Sequence, residues 1–179
     1  MVLGRYENFP ENIHSIAIFN YQAPIKSLQQ AILYTFHRLN SENFDLGVVT
    51  PYLKQNCEVG FEFGVAEGFD FNFLDNKELD QCLRIVAEKE LQTLDFFFVV
   101  RYHIIREDSK RVPLKFDYYV LRFIFQESGL ELLIRHERGT QRATLDDLTD
   151  FIAKRINTEL SRLQLTPLIL GAFEKVRMK

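Results

Sequence analysis

The chain contains no tryptophan, and only two cysteines, five prolines and eight glycines stand among its 179 residues. Two cysteines cannot make a disulfide framework. Cys57 and Cys82 lie far apart without metal-ligand spacing, so both are expected as inert, buried thiols. No repeat, low-complexity run or flexible linker interrupts the sequence, and the length suits one hydrophobic core rather than two. A single domain over residues 1–179 is expected, with residues 166–179 as an extension that is either a short helix or an edge strand. No apolar run approaches the roughly 20 residues that span a bilayer. The opening "MVLGRYENFPEN" also lacks the apolar centre of a signal peptide, so a cytoplasmic protein with no membrane contact is expected.

Catalytic signatures are missing too. There is no phosphate loop, nucleophile elbow, His-Glu-x-x-His or paired-cysteine site, and His14, His37, His103 and His136 are scattered. No catalytic residue, metal ligand or cofactor is assigned on this basis. The loop "RHERGTQRATLDD" leads Arg138 and Arg142 into a helix N-terminus, which attracts anions in general. Asp146 and Asp147 already supply that negative charge, so the segment reads as a cap on Thr144.

What the sequence has in plenty is aromatic side chains, 17 Phe and 7 Tyr, and an uneven distribution of charge. The net charge is −7 over residues 1–100, +3 over 101–142 and +1 over the remainder, which sums to the overall −3. The basic segment faces either the acidic half of its own fold or an anionic partner.

Periodicity orders the elements. Residues 12–21 read as a strand. From Pro24 to Asn40 the spacing of Ile25, Leu28, Ile32, Phe36 and Leu39 predicts an amphipathic helix, with Lys26, Gln29, Gln30 and Arg38 on its outer face. The alternating runs 57–65 and 69–73 predict a hairpin with Phe69, Phe71 and Phe73 on its apolar side, after a loop that holds at most one helical turn. A helix follows near 76–91, then a meander of strands 94–106, 115–125 and 130–137, and a long helix over 144–164. The fold class expected is α+β: a mainly antiparallel sheet of about six strands with two or three helices packed on one face.

The stretch "DFFFVVRYHIIRE", residues 95–107, carries the functional question. Strand alternation sends Phe96, Phe98, Val100, Tyr102 and Ile104 to one side and Phe97, Val99, Arg101, His103 and Ile105 to the other. An eight-residue loop over 107–114 pairs Arg101 with Val120 and Tyr118 with His103, and the turn "QESG" pairs Val120 with Arg135. The second face then holds Phe97, Val99, Arg101, His103, Phe116, Tyr118, Val120, Arg122 and Arg135. It is too apolar to be left bare, and asks for a helix, a ligand or another subunit.

Three readings of that face differ in chemistry. In the first, arginines pair with carboxylates of the same sheet, and the mixed surface serves self-association as a homodimer or binding to a protein partner. In the second, bases stack on the aromatics and arginines take phosphates, as in a nucleic-acid or anion module over residues 101–142. In the third, His103 beside arginine and tyrosine serves a small-molecule pocket or an enzyme of unknown reaction. The non-catalytic binding or assembly reading is preferred, because the overall pI near 5.8 argues against a nucleic-acid footprint.

Overall fold

The computed structural model describes residues 2–51, 56–114 and 116–176. In chain order the elements are β1 (Ser15–Asn20), α1 (Ile25–Leu39), β2 (Asn43–Asp45), α2 (Leu46–Val49), β3 (Cys57–Glu67), β4 (Asp70–Phe73), α3 (Asn76–Glu88), β5 (Thr93–Ile105), β6 (Arg111–Pro113), β7 (Asp117–Gln126), β8 (Gly129–Arg138), α4 (Leu145–Arg162) and β9 (Ile169–Lys175). Lys115 and residues 177–179, which fall in an expected strand and in the expected C-terminal extension, lie outside the described residues.

One antiparallel sheet holds nine strands among the described residues, in the order β2-β3-β5-β7-β8-β1-β9, with β4 on β3 and β6 on β5. The expected six were exceeded by β2, β6 and β9. Two of these are three-residue strands too short to show a period, and the third is the extension, which proves to be an edge strand. The helices α1, α3 and α4 cover one face, with α1 in contact with both others. The sheet curls around α4, whose Phe151 ring meets Phe44 of β2 at 5.3 Å while its Asp146 pairs with Lys175 of β9 at 3.2 Å.

The covered face is the aromatic one. Phe36 of α1 stacks on Phe63 at 4.1 Å and meets Phe96 edge-on at 4.6 Å, and Phe98 stacks on Tyr119 at 4.7 Å. Each such ring stabilises by about 1.5–3 kcal/mol relative to exposure, which makes this cluster the main source of stability. Capping agrees with the sequence: Thr144 Oγ1 accepts from the Asp147 N–H at 3.2 Å, and Asp75 Oδ1 from the Glu78 N–H at 2.8 Å. Gln29 departs from expectation. It is buried rather than outward, because its amide donates to the Leu91 carbonyl and accepts from the Leu91 N–H, satisfying backbone at the end of α3.

Two side assignments are also corrected. The β3–β4 hairpin pairs Glu67 with Asp70 and Gly64 with Phe73, so the core-facing positions of β3 meet the even-numbered residues of β4. Phe71 and Phe73 therefore stand on the second face, and Phe69, in the turn, and Phe73 are 62% and 55% exposed. Ile104, expected in the core, is 40% exposed because it lies at the strand end opposite Cys57 and Val112.

Candidate functional site

The site is assembled on the second face by alternation and by a change of register. The Val120–Arg135 pair stands where expected, but β7 is slipped four residues along β5, so that Val120 faces Phe97, Tyr118 faces Val99 and Arg122 faces Asp95. The reason is local. Instead of an open loop, residues 106–110 close a tight turn in which Arg106 N–H donates to the Lys110 carbonyl and Ser109 has φ 64°; β6 then pairs before β7 begins. A slip by an even number keeps each side chain on its expected face while changing its neighbours.

Charge is tolerated in the stretch 95–107 because β3 supplies carboxylates on one side and the slipped β7 brings Arg122 to Asp95 on the other. Arg101 lies 3.1 Å from Glu62, and Arg111 the same distance from Glu58. His103 is half-buried between Glu58 and Pro113 across the strands, away from Tyr118. Arg122 makes a two-pronged bond to the buried Asp95, Nε to Oδ1 at 2.8 Å and a terminal N–H to Oδ2 at 2.7 Å.

Residues 2–14 form an arm across this face. Gly4 N–H donates to the Ala66 carbonyl and the Asp95 N–H to the Gly4 carbonyl, both at 2.7 Å, so the arm sits against β3 and β5. Tyr6 N–H donates to Asp95 Oδ2 at 2.8 Å, while Arg122 donates to the Tyr6 carbonyl at 3.3 Å and lies 4.2 Å from the centre of the Phe9 ring. Farther along, Arg135 donates to the Asn12 carbonyl at 2.6 Å. Burial pushes the Asp95 carboxyl up from the usual value, and the bonds from Arg122 and Tyr6 offset part of that rise. Asp95 and Arg122 thus form the pin that fastens the arm.

Between the arm and β5, β7 and β8 an open cleft of about 870 Å³ remains, with Phe71 of β4 at its margin. Its floor is a row of rings, Tyr6 and Phe71 at 4.6 Å, Phe71 and Phe97 at 5.6 Å, Phe97 and Tyr118 at 5.9 Å, with Val120 beside them. Asn8, Pro10, Glu11 and Asn12 of the arm form one wall, and Arg135, Glu137 and Arg138 of β8 form the end. Arg135 Nε is 3.1 Å from Glu137 without an aligned N–H, a charge contact rather than a hydrogen bond. A second hollow of about 570 Å³, lined by Phe116, Gly139 and Thr140, shares Tyr118 and Arg138 with the first. The Tyr118–Arg138 pair borders both hollows, and the larger one, with its row of rings, is the groove.

The groove wall beyond Arg138 is held by Asp117. This fully buried carboxylate accepts from the Gln141 N–H at 2.6 Å and the Arg142 N–H at 3.2 Å, and His136 Nε2 is 3.1 Å away. Gly139 (φ 114°) is required here, since a Cβ would run into Asp117 and the Phe116 carbonyl. His14 Nδ1 accepts from the His136 backbone N–H at 2.9 Å, and burial, Arg135 and His136 all depress its pKa. Burial holds Tyr102 and Tyr119 above the ordinary phenol value, so both stay protonated in the folded chain. The cluster organises a loop.

Of the residues proposed from sequence, Phe97, Tyr118, Val120 and Arg135 line the cleft and Phe116 the second hollow. Arg122 lies under the arm, and Val99, Arg101 and His103 line neither hollow. Arg138, read from sequence as a loop extension of the anion patch, lines both hollows, whereas the arm and Phe71 were not foreseen as lining residues. The arm has no period to read, although Tyr6 and Phe9 in an otherwise polar start were a signal of packing. No group of three or more His, Cys, Asp or Glu suited to a metal ion occurs among the described residues, and no helix there is long and apolar enough to cross a membrane. Comparison with protein families, with curated proteins and with solved structures found no match.

Proposed function

We propose that the chain is a non-catalytic binding protein that receives an extended segment of a partner protein in the groove of its second face. The observation that carries this reading is the open row of rings Phe71, Phe97 and Tyr118 ending at Arg138, which is exposed and has no ion-pair partner among the described residues. Aromatic and arginine side chains are the residue types enriched at binding hot spots, and aromatic-lined grooves suit extended, proline-containing segments. One carboxylate on the ligand would meet Arg138. Self-association through the whole face is disfavoured, because the arm occupies it and Arg122 is turned inward. A polyanion is disfavoured by Glu11 and Glu137 at the rim and by the pairing of Arg101 with Glu62.

Selection of an unstructured-peptide display library on the purified chain tests the reading. Apolar or proline-containing sequences with an acidic residue are expected to enrich, and to be lost on Tyr118→Ala. Enrichment of nothing, or of sequences retained equally by Tyr118→Ala and Phe97→Ala, would contradict it. A fluorescent oligo(dT) or poly(U) probe is expected to stay free even at low salt, where phosphate binding is strongest.

A further inference from the structure

The two ends of the sheet are finished differently. Toward one end lie β2 and β4, of three and four residues, and brevity of this kind blunts an edge. At the other end β9 runs for seven residues, from Ile169 to Lys175, with one bulge at Gly171, no proline, and a regular stretch from Ala172 to Lys175, and Ile169 and Leu170 are 60% and 52% exposed. Its inner edge pairs with β1. Among the described residues its outer edge has no hydrogen-bond partner.

The polarity of that edge follows from one bond. Val176 N–H donates to the His14 carbonyl, so Glu174 and Val176 turn their backbone groups toward β1, and Phe173 and Lys175 turn theirs outward. We propose that β9 is a dimerisation edge, at which two copies of this chain pair antiparallel about a two-fold axis at Phe173 and join their sheets. In that register Phe173 lies opposite its mate and Ala172 opposite Glu174, and the regular ladder ends at Gly171, opposite Lys175, where the register shift against Ile18 and Phe19 leaves a bulge. Glu174 and Lys175, the only charged residues of the strand, meet uncharged residues, so the edge is compatible with itself. A second copy is the occupant to which this self-compatibility points. The proposal is independent of the groove, which lies on the face of the sheet rather than its edge.

Sedimentation velocity from about 1 to about 100 μM, the range in which interfaces of modest affinity assemble, tests it. The chain is expected to form a dimer. Lys175→Pro, which removes an outward N–H that the fold does not use, is expected to give a monomer. Ala172→Glu, at an exposed position, is expected to weaken the dimer roughly tenfold by setting like charges opposite one another twice across the axis, while Ala172→Lys strengthens it. A monomer at the top of the range, or a dimer unaltered by Lys175→Pro, would overturn the proposal. Circular dichroism of each variant separates loss of the dimer from loss of the fold.

Discussion

The two faces of the sheet are made from the same alternating strands, and they are closed by different means. On one face Phe63, Phe96, Phe98 and Phe123 are wholly covered by helices, and the buried carboxylates of that side, Asp117 and Glu159, have their own partners in the loop after β8 and on α1. On the other, a strand-poor arm covers only part of the surface, held by one buried ion pair, and leaves the rings of Phe97 and Tyr118 beside a groove. A face closed by apolar packing tolerates no gap, because each lost contact costs stability directly. A face closed by a pinned arm carries an opening at little cost. The difference teaches where a binding surface fits in this fold: on the side whose cover is local and polar.

The largest effect that would test this division is in the core. Phe63→Ala, which removes a ring stacked on Phe36 and Phe98, is expected to cost about 4 kcal/mol in urea unfolding. Arg122→Ala is expected to cost about 3 kcal/mol, because the Asp95 carboxylate is left buried and unpaired. Faster hydrogen exchange at the Tyr6 amide should accompany that loss, since the same carboxylate accepts its N–H. Arg101→Ala removes a partly exposed pair and is expected to cost no more than about 1 kcal/mol. Equal costs for the two arginines would dissolve the distinction between pin and surface pair.

A smaller effect concerns pH. His14 accepts through Nδ1 from the His136 N–H, and its folded pKa lies below the ordinary histidine value of about 6.5. Below 6.5 the unfolded chain takes up this proton first, so stability contributed by neutral His14 is present above that pH and is lost as the pH falls through the folded pKa. Protonation also removes the acceptor. In His14→Asn, whose amide oxygen can accept the same N–H, the difference in unfolding free energy from the parent chain should vary with pH only in this acidic window. A difference that is flat from pH 7 to pH 5 would show that His14 does not titrate on unfolding.

Much of this was legible in the sequence, and the failures share a cause. Alternation in residues 95–107 assigned Phe96, Phe98, Val100 and Tyr102 to the core, and even a four-residue slip could not move them. The slip did hide the Asp95–Arg122 pin, since partners across strands depend on how tightly a turn closes, and the turn at 106–110 is tighter than its length suggests. The phenylalanines of β4 were misplaced for the same reason, through a turn of two residues. The arm left no period at all, because it is neither helix nor regular strand and its bonds run to Ala66, Gly68 and Asp95, distant in sequence.

The groove is tested most directly by fluorescence anisotropy of a peptide taken from the library selection, titrated with the parent chain, Tyr118→Ala and Leu170→Lys. Saturable binding to the parent and to Leu170→Lys, with loss of at least tenfold in affinity for Tyr118→Ala while its fold persists, is the result the account predicts. Equal affinity for all three chains would place the peptide elsewhere and contradict the groove as the binding site.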